Sequence, residues 1–121
     1  MNVDSVVKNT DGKWFDIDDA KYKIRSNEHP IYEAELEKII SELSDMEEGK
    51  EKEKLLIAEI SARCALVDWK GVDSAKKKGI KFDVEIARIA LFNHRSVAIR
   101  IFNIARNDVN YREIVEAKAK K

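Results

Sequence analysis

The spacing of apolar residues changes along the chain, and each change of spacing predicts a change of element. In Lys21-Tyr22-Lys23-Ile24-Arg25 polar and apolar residues alternate. A period of two predicts a half-buried strand with Tyr22 and Ile24 facing inward. Upstream, Val3, Val6 and Val7 precede Thr10-Asp11-Gly12-Lys13 and then Trp14-Phe15-Asp16-Ile17. Asp-Gly between β-branched and aromatic residues is a hairpin signal, because glycine accepts the positive φ of a tight turn. The expectation is a two- or three-stranded antiparallel meander over about residues 1–26. So small a ribbon is not stable by itself, so its apolar face must lie on helices.

From Pro30 onward the period lengthens. Ser26, Asn27, Glu28 and His29 suit a loop, and proline fits a first helical turn, where its missing N–H costs nothing. Tyr32, Leu36, Ile39, Ile40, Leu43 and Met46 recur at spacings of three and four, forming one apolar stripe. The charge run Glu47 to Lys54 alternates in sign and reads as a solvated break at Gly49, followed by the exposed first turns of a second helix. That helix, with Leu55, Leu56, Ala58, Ile60, Ala62, Cys64, Ala65, Leu66 and Val67, is apolar nearly all round. It is predicted to run to about Trp69, to be stopped by Gly71 and to lie at the centre of the bundle.

A polar, basic loop with Lys76, Lys77, Lys78 and Gly79 follows. Asp83 reads as the N-cap of a third helix through Val84, Ile86, Ala87, Ile89, Ala90, Leu91 and Phe92. Asn93 and His94 interrupt that helix, and Ser96 reads as the cap of a fourth with Val97, Ile101, Phe102, Ile104 and Ala105. A last amphipathic turn or two holds Tyr111, Ile114 and Val115. The fold class expected is α+β: mainly helical, with a small N-terminal antiparallel β-hairpin or meander packed on a helical bundle over about residues 30–117. All 121 residues are assigned to one domain.

Composition narrows the function. Lys plus Arg and Asp plus Glu stand at 23 each, for a formal net charge of zero, which argues against a general polyanion binder. The three loop lysines are read as ordinary exposed lysines, and nucleic acid is not expected as a partner. The single cysteine, Cys64, excludes an internal disulfide and is read as a small buried hydrophobe in a reducing cytoplasm. The opening segment MNVDSVVKNTDGK has no basic region followed by a long apolar run, so no signal peptide is expected. No stretch approaches the roughly 18 apolar residues that span a bilayer, so no membrane is expected.

Catalytic chemistry finds no foothold. His29 and His94 lack a second histidine or cysteine at ligand spacing. Asp16, Asp18 and Asp19 cluster without the glycine and distal glutamate of a calcium loop. The four glycines are scattered singly, and no serine sits in a nucleophile elbow. An enzyme, a metal and a cofactor are therefore not expected. Among the aromatics, Trp69 and Phe92 read as core. Trp14 and Phe15 are consecutive on a predicted strand, so they face opposite sides. One of the two points away from the helices, and it is the candidate partner-binding residue.

In order along the chain stand Gly12-Lys13-Trp14-Phe15, Ala20-Lys21-Tyr22-Lys23-Ile24-Arg25 and Leu66-Val67-Asp68-Trp69-Lys70-Gly71-Val72. With the glycine loop ending in Phe82-Asp83 and the final helical run, this order resembles the tail assembly chaperones of long-tailed bacteriophages. The resemblance covers most of the chain and departs in the loop after Val72, where Lys76 to Lys78 replace more acidic residues. It implies a non-catalytic protein of the host bacterial cytoplasm, absent from the mature virion. Its implied partners are the tape measure protein and the tail tube protein, and it is compatible with self-association. It also implies a longer form made by ribosomal slippage, and Ala119-Lys120-Lys121 is compatible with a slippery adenine-rich run. Two other readings fit a small helical chain. One is a helical nucleic-acid-binding regulator reading with Arg95, Arg100, Arg106 and Arg112, and the other is a small virion component such as a head–tail connector.

Overall fold

The computed structural model describes residues 6–114. Strand β1 (Val6–Lys8) precedes a hairpin of β2 (Lys13–Ile17) and β3 (Ala20–Ile24), helix α1 (Pro30–Glu42) and helix α2 (Lys50–Glu59). A π-helical turn (Ile60–Ala65) continues α2 and passes directly into β4 (Leu66–Lys70). Helices α3 (Val84–Asn93) and α4 (Arg95–Arg106), a 3₁₀ turn (Asp108–Tyr111) and β5 (Arg112–Ile114) complete the order. The expected α+β class, mainly helical with a small antiparallel sheet from the N-terminal side, describes this structure.

Helix boundaries follow local chemistry. His29 caps α1, its Nδ1 accepting from Ile31 N–H at 3.1 Å, and Pro30 opens the first turn. Asp83 caps α3 as its side chain predicts, accepting from the N–H groups of Glu85 and Ile86. The break at Gly49 is present, with φ at +153°. Ser96, in contrast, does not cap α4. The cap lies two residues earlier, at His94, and the helix starts at Arg95, because the backbone of His94 serves both neighbours: its N–H closes α3 onto the Ala90 carbonyl, and its own carbonyl accepts from Val97 and Ala98.

The largest departure from expectation is β4. Leu66 to Trp69 do not extend the second helix but form the third strand of the sheet, in the order β2-β3-β4, all antiparallel. An apolar run without periodicity suits a buried helix and a buried strand equally, and here the chain uses both. The pairs Lys21↔Lys70, Tyr22↔Trp69 and Lys23↔Asp68 are followed by Ile24↔Leu66, leaving Val67 as an extra residue in a bulge. Arg25 receives the helix end: its N–H donates to the Ala65 carbonyl at 2.9 Å, and its guanidinium donates to the Cys64 carbonyl at 3.0 Å. Two orphan carbonyls are thereby satisfied without a capping glycine.

The predicted hairpin at Asp11-Gly12 is also displaced. β1 pairs with β5 instead of β2, tying the two ends of the described chain together. The tight turn falls at Asp18-Asp19, where Asp18 takes φ +52°, a conformation aspartate tolerates. Gly12 is needed for close approach: a Cβ there would lie 2.8 Å from Lys23 Cγ and 3.1 Å from Val67 Cγ2. The last segment is likewise not an amphipathic helix but a 3₁₀ turn and a strand. Val115 and the Ala119-Lys120-Lys121 run lie outside the described residues.

The core lies between the inner face of the sheet and the helices. Tyr22 and Ile24 point inward as the alternation predicts, joined by Ile17, Leu66 and Trp69. The helices contribute small residues at their crossings, among them Ala58, Ala62, Ala87, Ala98 and Ala105, all buried. Small side chains at such contacts shorten the distance between helix axes. Ser61 is buried at the same junction, and its hydroxyl donates to the Ala98 carbonyl at 2.8 Å. Cys64 is fully buried, as expected, and burial pushes its thiol up to about 12, so it stays protonated and unreactive at neutral pH. Of the α1 stripe, Tyr32 and Ile39 are buried, Leu36 and Leu43 are half-buried, and Ile40 is exposed.

Candidate functional site

Alternation along β2 separates the two candidate residues. Phe15 turns inward and meets the buried Tyr111 edge-on, with ring centroids 6.2 Å apart. Trp14 turns outward and keeps 39% of its surface exposed. The structure therefore does not bring Trp14 and Phe15 together as one site. Only Trp14 is available on the surface. Tyr111, opposite Phe15, is anchored by its hydroxyl, which donates to the Ile24 carbonyl at 2.9 Å.

The surroundings of Trp14 follow from the strand register. Trp14, Lys23 and Asp68 are in line across the three strands, and Asp16, Lys21 and Lys70 form the next row but one on the same face. The Lys70 ammonium sits 4.5 Å from the centroid of the Trp14 ring, a cation–π contact. Lys21 donates to Asp16 at 2.7 Å, an exposed pair. The outer face thus presents an aromatic platform edged by lysines, with two aspartates among them. Nothing in this arrangement resembles a nucleophile with its base. What it exposes is apolar area, a π face and charged side chains.

Behind that face the sheet is fixed. Trp69 is 4% exposed, its indole N–H donates to the Ile80 carbonyl at 2.8 Å, and Phe82 packs edge-on at 5.2 Å. The loop between β4 and α3 is accordingly folded down onto Trp69. Its lysines, Lys76, Lys77 and Lys78, are exposed.

A second surface feature was not anticipated from the sequence. Helices α1 and α3 both rest on the turn 60–65, and a groove of about 480 Å³ separates them, lined by Ile31, Glu35, Glu42, Arg63, Val84 and Arg88 among others. Arg63 binds Glu42 through both oxygens, at 2.8 and 3.0 Å, and also reaches Glu59 at 3.1 Å and Glu35 at 3.4 Å. Arg88 holds Glu59 at 2.9 and 3.0 Å and Glu85 at 3.0 and 3.2 Å. Hydrogen bonding to Glu42 raises the Arg63 guanidinium above its ordinary range, and the reciprocal bond lowers Glu42. Glu35 is lowered first by its bond from Lys38. The trace of this network in the sequence is Glu59 and Arg63, two charges one helical turn apart inside an otherwise apolar run.

The arginines considered for nucleic acid are engaged within the chain. Arg100 pairs with Asp18 at 3.1 Å, Arg95 lies 3.8 Å from Glu53, Arg112 lies 3.5 Å from Asp108, and Arg106 stacks 4.8 Å from the Phe102 ring centroid. Among the described residues, no helix is long and apolar enough to cross a membrane, and no group of three or more His, Cys, Asp or Glu could hold a metal ion. Compared with protein-family models, curated proteins and solved structures, the chain finds no match.

Proposed function

We propose that this chain is a tail assembly chaperone of a long-tailed bacteriophage. In this reading it is a non-catalytic protein that binds the tape measure protein in the host cytoplasm, helps recruit tail tube subunits and is left out of the mature virion. One observation carries the reading. The three segments on which the resemblance rests, from Gly12, Ala20 and Leu66, are adjacent strands of one sheet, and the outer face of that sheet offers Trp14. Gly12 makes room for Lys23 and Val67, and Gly71 (φ +77°) lies against the backbone of Asp19 and Ala20. The motif residues are therefore in contact with one another and frame a single surface.

The physical task suits that surface. A chaperone of an apolar helix must cover it reversibly, which calls for aromatic area without a deep pocket. An indole held on a rigid strand loses little conformational freedom on binding. Co-expression with the tape measure protein of the phage that carries this gene tests the reading. The tape measure protein should be soluble with this chain and insoluble without it. Trp14→Glu should weaken the complex while the variant still unfolds cooperatively, with a melting temperature lowered by no more than a few degrees. Equal solubility of the tape measure protein in both cases would sink the proposal.

A further inference from the structure

We infer that the cleft between the β2–β3 turn, the end of β4 and the α3–α4 junction binds a small organic cation, a primary ammonium on an apolar body. The cleft measures about 360 Å³, within the size range of small-molecule sites. Three parts of the chain meet there. Asp18 and Asp19 bring in the tight turn, Gly71 (φ +77°) folds the chain leaving β4 against the Asp19 carbonyl, and His94 brings in the junction of α3 with α4. The walls are apolar, supplied by Ile17, Trp69, Val72, Leu91 and Val97. None of these residues belongs to the outer face that carries Trp14, so the inference goes beyond the function just proposed and does not rest on it.

Tyr22 is the observation that points to a ligand. It lines the cleft and is only 8% exposed, yet its hydroxyl has no hydrogen-bond partner among the described residues. Every described side-chain nitrogen or oxygen that is shut off from solvent does have a partner, so this hydroxyl opens onto the cleft. The hydroxyl of Tyr111, in contrast, is spent on the Ile24 carbonyl. Burial, and after it the Asp18 carboxylate, raise the pKa of Tyr22. It is therefore a neutral O–H with lone pairs to offer.

Charge selects the occupant. Asp18, Asp19 and Asp73 line the cleft, and no lysine or arginine does. Arg100 reaches one of the three, Asp18, at 3.1 Å. Asp19 has no ion pair among the described residues, and Asp73 accepts the Gly79 N–H at 2.7 Å on one oxygen only. The lysines nearest along the strands are turned to the opposite face, Lys21 onto Asp16 and Lys70 over Trp14. Those of the following loop, Lys76, Lys77, Lys78 and Lys81, are exposed. His94 adds an imidazole but no fixed charge. Two carboxylates are left unmatched. A metal ion does not answer them, since no group of three or more His, Cys, Asp or Glu among the described residues could hold one. An ammonium does: its three N–H donors suit the carboxylates and the Tyr22 oxygen, and its apolar body suits the walls.

Three probes of one shape test the inference by NMR titration of the full chain: 2-phenylethylamine, 2-phenylethanol and 3-phenylpropanoate. The amine should bind in about the millimolar range, as befits so small a ligand, with shifts on the Trp69 indole N–H and on the Val72, Leu91 and Val97 methyls. The alcohol should bind at least about tenfold more weakly and the carboxylate not measurably, and added salt should narrow the gap. Asp19→Asn with Asp73→Asn keeps an acceptor for the Gly79 N–H. It should weaken the amine about tenfold and leave the alcohol unchanged. Tyr22→Phe should weaken the amine about threefold or more yet keep the melting temperature within about 2 °C, because no hydrogen bond within the protein is lost. Trp14→Glu should leave amine binding intact, so failure here and failure of the chaperone reading are separate results. Equal binding of amine and alcohol, undiminished amine binding by the double variant, or shifts confined to the Trp14 face would each overturn the inference. Tighter binding of Nα-acetyl-lysine methylamide than of the amine would also overturn it, by assigning the cleft to a lysine of a partner protein.

Discussion

The two tryptophans of this chain stand on the two outer strands of one small sheet, separated by β3, and their environments are opposite. Trp69 faces the helices, is 4% exposed and has its indole N–H on the Ile80 carbonyl and its ring against Phe82. Trp14 faces outward, is 39% exposed and has the Lys70 ammonium above its ring. The same side chain serves as a core anchor in one place and as a platform in the other. What separates them is strand register, because neighbours along a strand alternate faces and Tyr22↔Trp69 is a core pair while Trp14↔Lys23 is not. The sheet is thus divided by face: the inner side holds the fold together, and the outer side leaves an indole exposed.

The strongest way to break this comparison is to truncate each indole. Trp69→Ala removes a buried ring, strands the Ile80 carbonyl and releases the loop that carries Phe82, so a loss of about 3–5 kcal/mol is expected. Trp14→Ala should cost at most about 1 kcal/mol, in the range of a surface substitution plus one exposed cation–π contact. Urea unfolding of the two variants measures both. Similar losses would mean that the two faces are not divided as described.

A finer test lies at Tyr111, which supports the hairpin from below. Its ring is fully buried against Phe15, and burial raises its hydroxyl well above the ordinary tyrosine value. Tyr111→Phe keeps the packing and removes the donor to the Ile24 carbonyl. A loss of about 1–2 kcal/mol is expected, the cost of leaving a buried acceptor unmade. Denaturant midpoints at an unchanged m-value would check it.

How much of this division the sequence could tell depends on where the deciding contacts lie. Inward Tyr22 and Ile24, the start at Pro30, the break at Gly49 and the cap at Asp83 were all legible, because each is settled by residues within a turn or a strand of itself. β4 was not. Leu55 to Val67 is apolar without a period, and its change from helix to strand is enforced by Arg25, some forty positions upstream, together with pairing to β3. The β1–β5 pair is longer-range still. For the candidate site, the sequence could say that Trp14 and Phe15 face opposite sides but not which faced out, since that choice rests on Tyr111 near the far end of the chain. The α1–α3 groove was invisible because its charges look like ordinary solvated charges until two helices bring them together.

The smallest effect concerns how firmly the outer platform is held before any partner arrives. Lys70 and Trp14 lie on strands that do not touch, so their contact spans β3, and it is made by a long side chain reaching along the face. An exposed cation–π contact of this kind contributes about 0.5–1 kcal/mol. A double-mutant cycle with Lys70→Met and Trp14→Leu isolates that coupling, because both replacements keep apolar bulk while removing the charge or the π face. A coupling of about 0.5 kcal/mol that weakens only modestly with salt is expected, and the Trp14 emission should shift on Lys70→Met. Zero coupling would leave the ring free to turn on the strand. The indole would then be available to a partner but would have to be ordered by it, and the advantage of a preformed platform would be lost.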